Sequence, residues 1–130
     1  MLLIKLDTRE KFAFLRLAQF LAKIDGLYSE KEKDLIDEYC FEMGIDNLEF
    51  ENDNLEEILQ EFKSNQSKKI VLLELMILAH VDDAFNEEEY QIIKKIKEIF
   101  KISKKEFSHY SSWGKAVAAL REQAISMSLD

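Results

Sequence analysis

The sequence predicts an all-α protein, a compact bundle of about seven helices, and three observations carry that expectation. Proline is absent, and glycine occurs only three times in 130 residues. Sheets and loop-rich folds use both residues as punctuation, so their scarcity points to helices joined by short connections. Apolar residues recur at helical spacing along most of the chain, and no stretch alternates with period two for long enough to demand a strand. Finally, one segment of about two dozen residues occurs twice. The length suits a single domain spanning 1–130, with repeat units at about 8–45 and 67–102 and a C-terminal helix at about 114–128.

Taken in order, Phe14, Leu17, Ala18, Leu21 and Ile24 make one apolar stripe on a helix from about Thr8 to Ile24. Ser29 to Met43 repeats the pattern with Leu35, Ile36, Tyr39 and Met43, and Gly44 stands where a left-handed helix stop is expected. The stretch "IDNLEFEND" (45–53) reads as coil. Asn54 opens a short helix to about Phe62, with Leu55, Ile58, Leu59 and Phe62 inward. Ser67 to Val81 is apolar nearly all round and is expected at the centre. Asn86 to Phe100 carries Ile92, Ile93, Ile96 and Phe100. Ser103 to about Tyr110 reads as a short helix, "SSWG" as a break, and Lys115 to Met127 as a last amphipathic helix. That helix is expected to close the bundle through Ala116, Ala119, Leu120, Gln123 and Met127.

The chain is acidic, with a formal charge of −8 and a pI of about 4.9. Such a surface repels phosphate backbones, so nucleic acid and anionic membranes are poor partners, and cations or basic proteins are better ones. The single cysteine, Cys40, excludes an intramolecular disulfide and a multi-thiolate metal site. It reads as a small core residue in a reducing compartment. The apolar run Ile70 to Val81 is 12 residues long and contains Glu74, too short to span a bilayer. "MLLIKLDTREK" is too soon charged for a signal peptide. A cytoplasmic protein with no direct membrane insertion is expected.

The repeat sets "AKIDGLYSEKEKDLIDEYCFEMGI" (22–45) on "AHVDDAFNEEEYQIIKKIKEIFKI" (79–102) at a constant shift of 57 positions. Asp25 meets Asp82, Tyr28 meets Phe85, Ser29 meets Asn86, Glu30 meets Glu87 and Glu32 meets Glu89. Two helical hairpins of one design are expected to pack about a pseudo-twofold axis, since neither alone can bury its apolar faces. Ser29 with Glu32, and Asn86 with Glu89, have the spacing of a helix N-cap and its third residue, which explains much of the acidity without any ligand. Glu30, Glu87 and Glu88 also meet the favourable end of a helix dipole. Asp25 and Asp82 are different. Each ends an apolar helix, where the dipole disfavours an anion. Two roles are open for them: bonding backbone N–H groups of the turn, with Gly26 in a left-handed position, or holding a ligand. An all-oxygen set of this kind suits calcium or magnesium better than zinc. It is not an EF-hand, because the third, fifth and sixth residues counted from Asp25 are Leu27, Ser29 and Glu30.

The doubled A-x-x-D-G/D-x-aromatic-S/N-E-x-E signature resembles the TerB-like family, over about residues 10–105. That family includes the tellurite-resistance protein TerB and the N-terminal domain of some membrane-anchored DnaJ-type co-chaperones. The resemblance implies an all-helical domain with an acidic face that binds metal ions, or docks partners, in a stress or metal-resistance system at the inner face of the membrane. The positions it marks are Asp25, Glu30 and Glu32 in the first half, and Asp82, Glu87 and Glu89 in the second. Asp83 replaces the glycine of the first repeat and adds a seventh candidate ligand. No J-domain accompanies the signature.

Other chemistry has little support. His80 belongs to the central apolar helix and His109 precedes Tyr110. Neither sits in an HExxH motif, and no P-loop or GxGxxG occurs. The expectation is therefore a non-catalytic binding module. Its ligand is a divalent cation or, alternatively, a basic or membrane-associated protein partner with no metal. The one basic stretch, "KKIKEIFKISKK" (94–105), reads as a solvated face.

Overall fold

The computed structural model describes residues 1–51, 53–82 and 86–129. Among these, six α-helices follow a short 3-10 turn at Leu3–Lys5: α1 Thr8–Lys23, α2 Glu30–Met43, α3 Leu55–Leu59, α4 Asn65–His80, α5 Glu87–Phe100 and α6 Lys104–Met127. The all-helical bundle expected from the sequence is present. The fold has one α-helix fewer than expected because the last two are continuous.

The repeat extends further than the matching residues show. A shift of 57 carries both ends of α1 onto those of α4, and both ends of α2 onto those of α5. The local chemistry at the ends follows. Asp7 and Ser64 cap α1 and α4 by accepting from the backbone N–H of Glu10 and Ser67. At the other end of each hairpin, Gly44 (φ 70°) and Lys101 (φ 58°) both stop the helix in the left-handed region. The next N–H then bonds back in the same way, Ile45 to the Cys40 carbonyl and Ile102 to the Lys97 carbonyl, both at 3.1 Å. This closing bond satisfies carbonyls that a helix end leaves open.

In the packing, α1 lies on α2, α4 lies on α5, and α1 and α4 touch each other. Each hairpin is then covered by the next helix, α1 by α3 and α4 by α6, the α4–α6 contact being the most extensive. The core is one cluster that includes Phe14, Leu17, Leu21, Ile36, Ile58, Leu72, Leu75, Met76 and Ile93. Each such side chain contributes roughly 1.5–3 kcal/mol of burial free energy. Buried Gln19 ties the 45–51 loop to α1: its amide donates to the Leu48 carbonyl at 2.7 Å and its oxygen accepts from Phe50 N–H at 3.0 Å.

Two expectations for the C-terminal region are corrected. "SSWG" does not break the chain, because Ser111, Ser112, Trp113 and Gly114 lie inside α6. Gly114 is buried, and a Cβ there would stand 2.5 Å from Met76 Cβ and 2.8 Å from its backbone carbon. The glycine allows two helix backbones to approach rather than ending a helix. The inward face of α6 is also rotated from the expected one. Gly114 and Ala118 are buried and Val117 is partly so, whereas Ala116, Ala119, Leu120, Gln123 and Met127 are exposed. Among the described residues no helix is long and apolar enough to cross a membrane.

Candidate functional site

The candidate site is built where α1 ends and α2 begins, and again where α4 ends and α5 begins. The first turn is organised by its aspartate. Asp25 Oδ1 accepts from Leu27 N–H at 2.9 Å, while Gly26 takes φ 79°, as an Asx-type turn needs. Ser29 and Glu32 then form a complete capping box. Ser29 Oγ accepts from Glu32 N–H at 3.2 Å, and Glu32 Oε1 accepts from Ser29 N–H at 3.0 Å. In the second turn Asn86 Oδ1 accepts from Glu89 N–H at 2.8 Å.

The two turns meet. Asn86 Nδ2 donates to Asp25 Oδ2 at 2.5 Å, joining the N-cap of α5 to the turn before α2. One Asn side chain therefore caps its own helix with its oxygen and fastens the other repeat with its nitrogen. The cap explains an Asn at this position, but nothing in the sequence shows where its second polar atom points.

Bringing the turns together crowds their carboxyls. Glu32 and Glu89, the third residues of α2 and α5, are only 3% and 4% exposed. Burial pushes the Glu89 carboxyl up to about 8, the charges of Glu32, Asp25 and Asp82 add to that, and the Asn86 N–H works against it. The Glu32 carboxyl is raised too, by burial first and then by Asp82 and Asp25, opposed by its bonds to Ser29. Glu32 and Glu89 thus feel the charges of both repeats, and the raised Glu89 carboxyl favours its protonated form near neutral pH.

The other sequence candidates divide differently. Glu30 is exposed and pairs with Lys33 at 3.6 Å, while exposed Glu87 accepts from Gln91 Nε2 at 2.7 Å. Both flank the junction without entering it. Asp83, and the Phe85 that matches Tyr28, lie outside the described residues. Donor chemistry fits a hard cation, since every candidate ligand is an oxygen. The separations do not: among the described residues no three His, Cys, Asp or Glu side chains are placed to hold one metal ion.

Away from the junction, His80 is the half-buried last residue of α4, and burial together with Lys115 favours its neutral form. Cys40 is buried, and burial pushes its thiol up to about 11, which disfavours the reactive thiolate. Lys95 of the basic stretch pairs with Glu56 at 2.6 Å, and Lys97 lies over the Phe107 ring. A comparison of this chain with known families, curated proteins and solved structures finds no match.

Proposed function

We propose that this protein is a non-catalytic binding module whose doubled acidic junction receives a positively charged ligand. The observation that carries this reading is the Asn86–Asp25 bond, which gathers Asp25, Glu32, Asp82 and Glu89 at one place. Mutual repulsion in a partly dehydrated setting is relieved by a proton or by a cation. A basic side chain on a partner protein suits the described geometry, because it needs no preformed chelate. Exposed Glu30, Glu87 and Glu88 surround the junction and add to its field. A divalent ion, calcium or magnesium first, is the second reading, favoured by the all-oxygen donor set. It requires the carboxylates to move from their capping positions. Either ligand fits the metal-resistance or stress context that the TerB-like signature suggests.

Both ligands share a testable property. Glu89 must lose its proton to face a cation, so binding releases a proton and strengthens as pH rises toward 8. Calorimetric titrations with calcium, magnesium and a Lys/Arg-rich peptide at pH 6 and pH 8, each in two buffers of different ionisation enthalpy, measure this directly. The expected result is tighter binding at pH 8, with proton release at pH 6. Binding that is independent of pH and releases no proton would place the ligand somewhere other than this junction.

A further inference from the structure

Two surfaces away from the acidic junction complement each other. The first is an open groove of about 550 Å³ where the end of α3, the start of α4 and the end of α5 come together. Its floor is apolar: Leu59, Phe62 and Phe100 are buried, and Ile99, 43% exposed, is open to solvent. The Phe62 and Phe100 rings meet edge to face with centroids 6.1 Å apart, a packing that a further aromatic ring can extend. Lys63 and Lys68 also line the groove, and neither is in an ion pair among the described residues. The lining carboxylate, Glu56, is held by Lys95 at 2.6 Å. The groove is therefore apolar with a positive rim, on a chain whose net charge is −8.

The second surface is Phe41 on α2. At 90% exposed it is the most exposed large apolar side chain among the described residues, apart from any on α3, α4 or α5. Asp37 and Asp34 precede it by about one and two turns on the same exposed face of the helix. Asp34 has no ion-pair partner among the described residues, and Asp37 accepts from the neutral Asn47 amide at 2.6 Å, which leaves its charge in place. Because α2 is not one of the helices that bound the groove, Phe41 leaves the groove of its own chain open. An aromatic side chain beside carboxylates and an apolar groove beside ammonium groups are complementary in both polarity and sign. Aromatic anchors seated in pockets carry much of the energy of protein interfaces, and opposite charges around them fix the register.

We propose that the groove takes Phe41 of a second copy of this chain, with Asp34 and Asp37 of that copy facing Lys63 and Lys68. The contact does not use the acidic junction, so it stands or falls separately from the cationic ligand proposed there. Knob and groove are different surfaces, so the contact is head-to-tail and can extend beyond two copies.

Sedimentation velocity of the full chain, from micromolar to millimolar concentration, tests this contact. The average mass should rise above that of one chain as concentration rises. Phe41→Glu removes the knob at an exposed position and should weaken self-association at least about tenfold. Lys63→Glu with Ile99→Glu spoils the groove and should have the same effect. If that variant does not fold, Lys63→Glu alone, at an exposed position, takes its place. Mixing tests the pairing of the two surfaces. The Phe41 variant keeps a native groove and the groove variant a native knob, so an equimolar mixture should form a complex of two chains and nothing larger. A native chain that stays monomeric throughout, association unchanged in either variant, or a mixture no heavier than its separate components would each overturn the proposal.

Discussion

Glu89 carries the sharpest consequence at the scale of single residues. Its carboxyl is raised in the folded protein from an ordinary 4.5 to about 8, so between those values the folded chain holds a proton that the unfolded chain has lost. The neutral carboxyl's contribution is fully present below pH 4.5 and is lost as pH rises through 8, so stability falls across that window. Glu32 acts in the same direction. Glu89→Gln keeps the shape and removes the titration. Chemical denaturation at a series of pH values should show the native protein losing stability toward pH 8, and the variant with a flatter profile that lies above the native one at the alkaline end. Parallel profiles would mean that Glu89 does not carry the shifted proton. The caps tell a complementary story. Ser29 with Glu32, and Asn86 with Glu89, could be read as helix starts because cap chemistry is local. The Asn86–Asp25 bond spans 61 positions, and no local rule reaches that far.

Two stops and one crossing decide matters for the helices. Gly44 and Lys101 hold equivalent left-handed positions, but only glycine takes them without steric cost. Lys101→Gly is therefore expected to stabilise the protein by about 0.5–1 kcal/mol, read as a rise in the denaturation midpoint at unchanged slope. Gly114→Ala tests the crossing of α6 over α4. Helix propensity alone would favour the alanine by about 1 kcal/mol. The contact with Met76 opposes it, because a backbone carbon at 2.8 Å cannot move aside as a side-chain tip would. The packing effect should win, with a net loss of about 1–3 kcal/mol; a more stable alanine variant would show the crossing to be looser than described. The same glycine explains why the C-terminal region was the least legible part of the sequence. A glycine closing the run Ser-Ser-Trp-Gly reads as a breaker when only neighbours in sequence are considered, and its use for close approach needs the partner Met76. The rotated face of α6 has a related cause. Ala116, Ala119 and Leu120 are as apolar as Val117 and Ala118, so composition could not orient the helix. Periodicity served well for α1, α2 and α5, whose polar faces are strongly charged.

Across the whole molecule, duplication sets the design. Two hairpins with matching ends bring Asn86 at the start of α5 onto Asp25 before α2, and the net charge of −8 suits a cationic ligand. The doubling was visible in the sequence because residues 22–45 match 79–102 at a constant shift of 57 positions. The meeting of the turns was not, since a repeat fixes the design of each half but not which ends touch. The most direct test is a thermal melt of EDTA-treated protein with and without millimolar calcium, magnesium, manganese or zinc, or a Lys/Arg-rich peptide, repeated on Asp25→Asn, Asp82→Asn. A ligand present at 100 times its Kd and bound only to the folded state adds about 2.7 kcal/mol, several degrees for a domain of this size. Such a rise is expected with at least one of these cations in the native protein, and it should disappear in the double variant. No rise with any of them, or a rise that survives both substitutions, would rule out a cationic ligand at the junction.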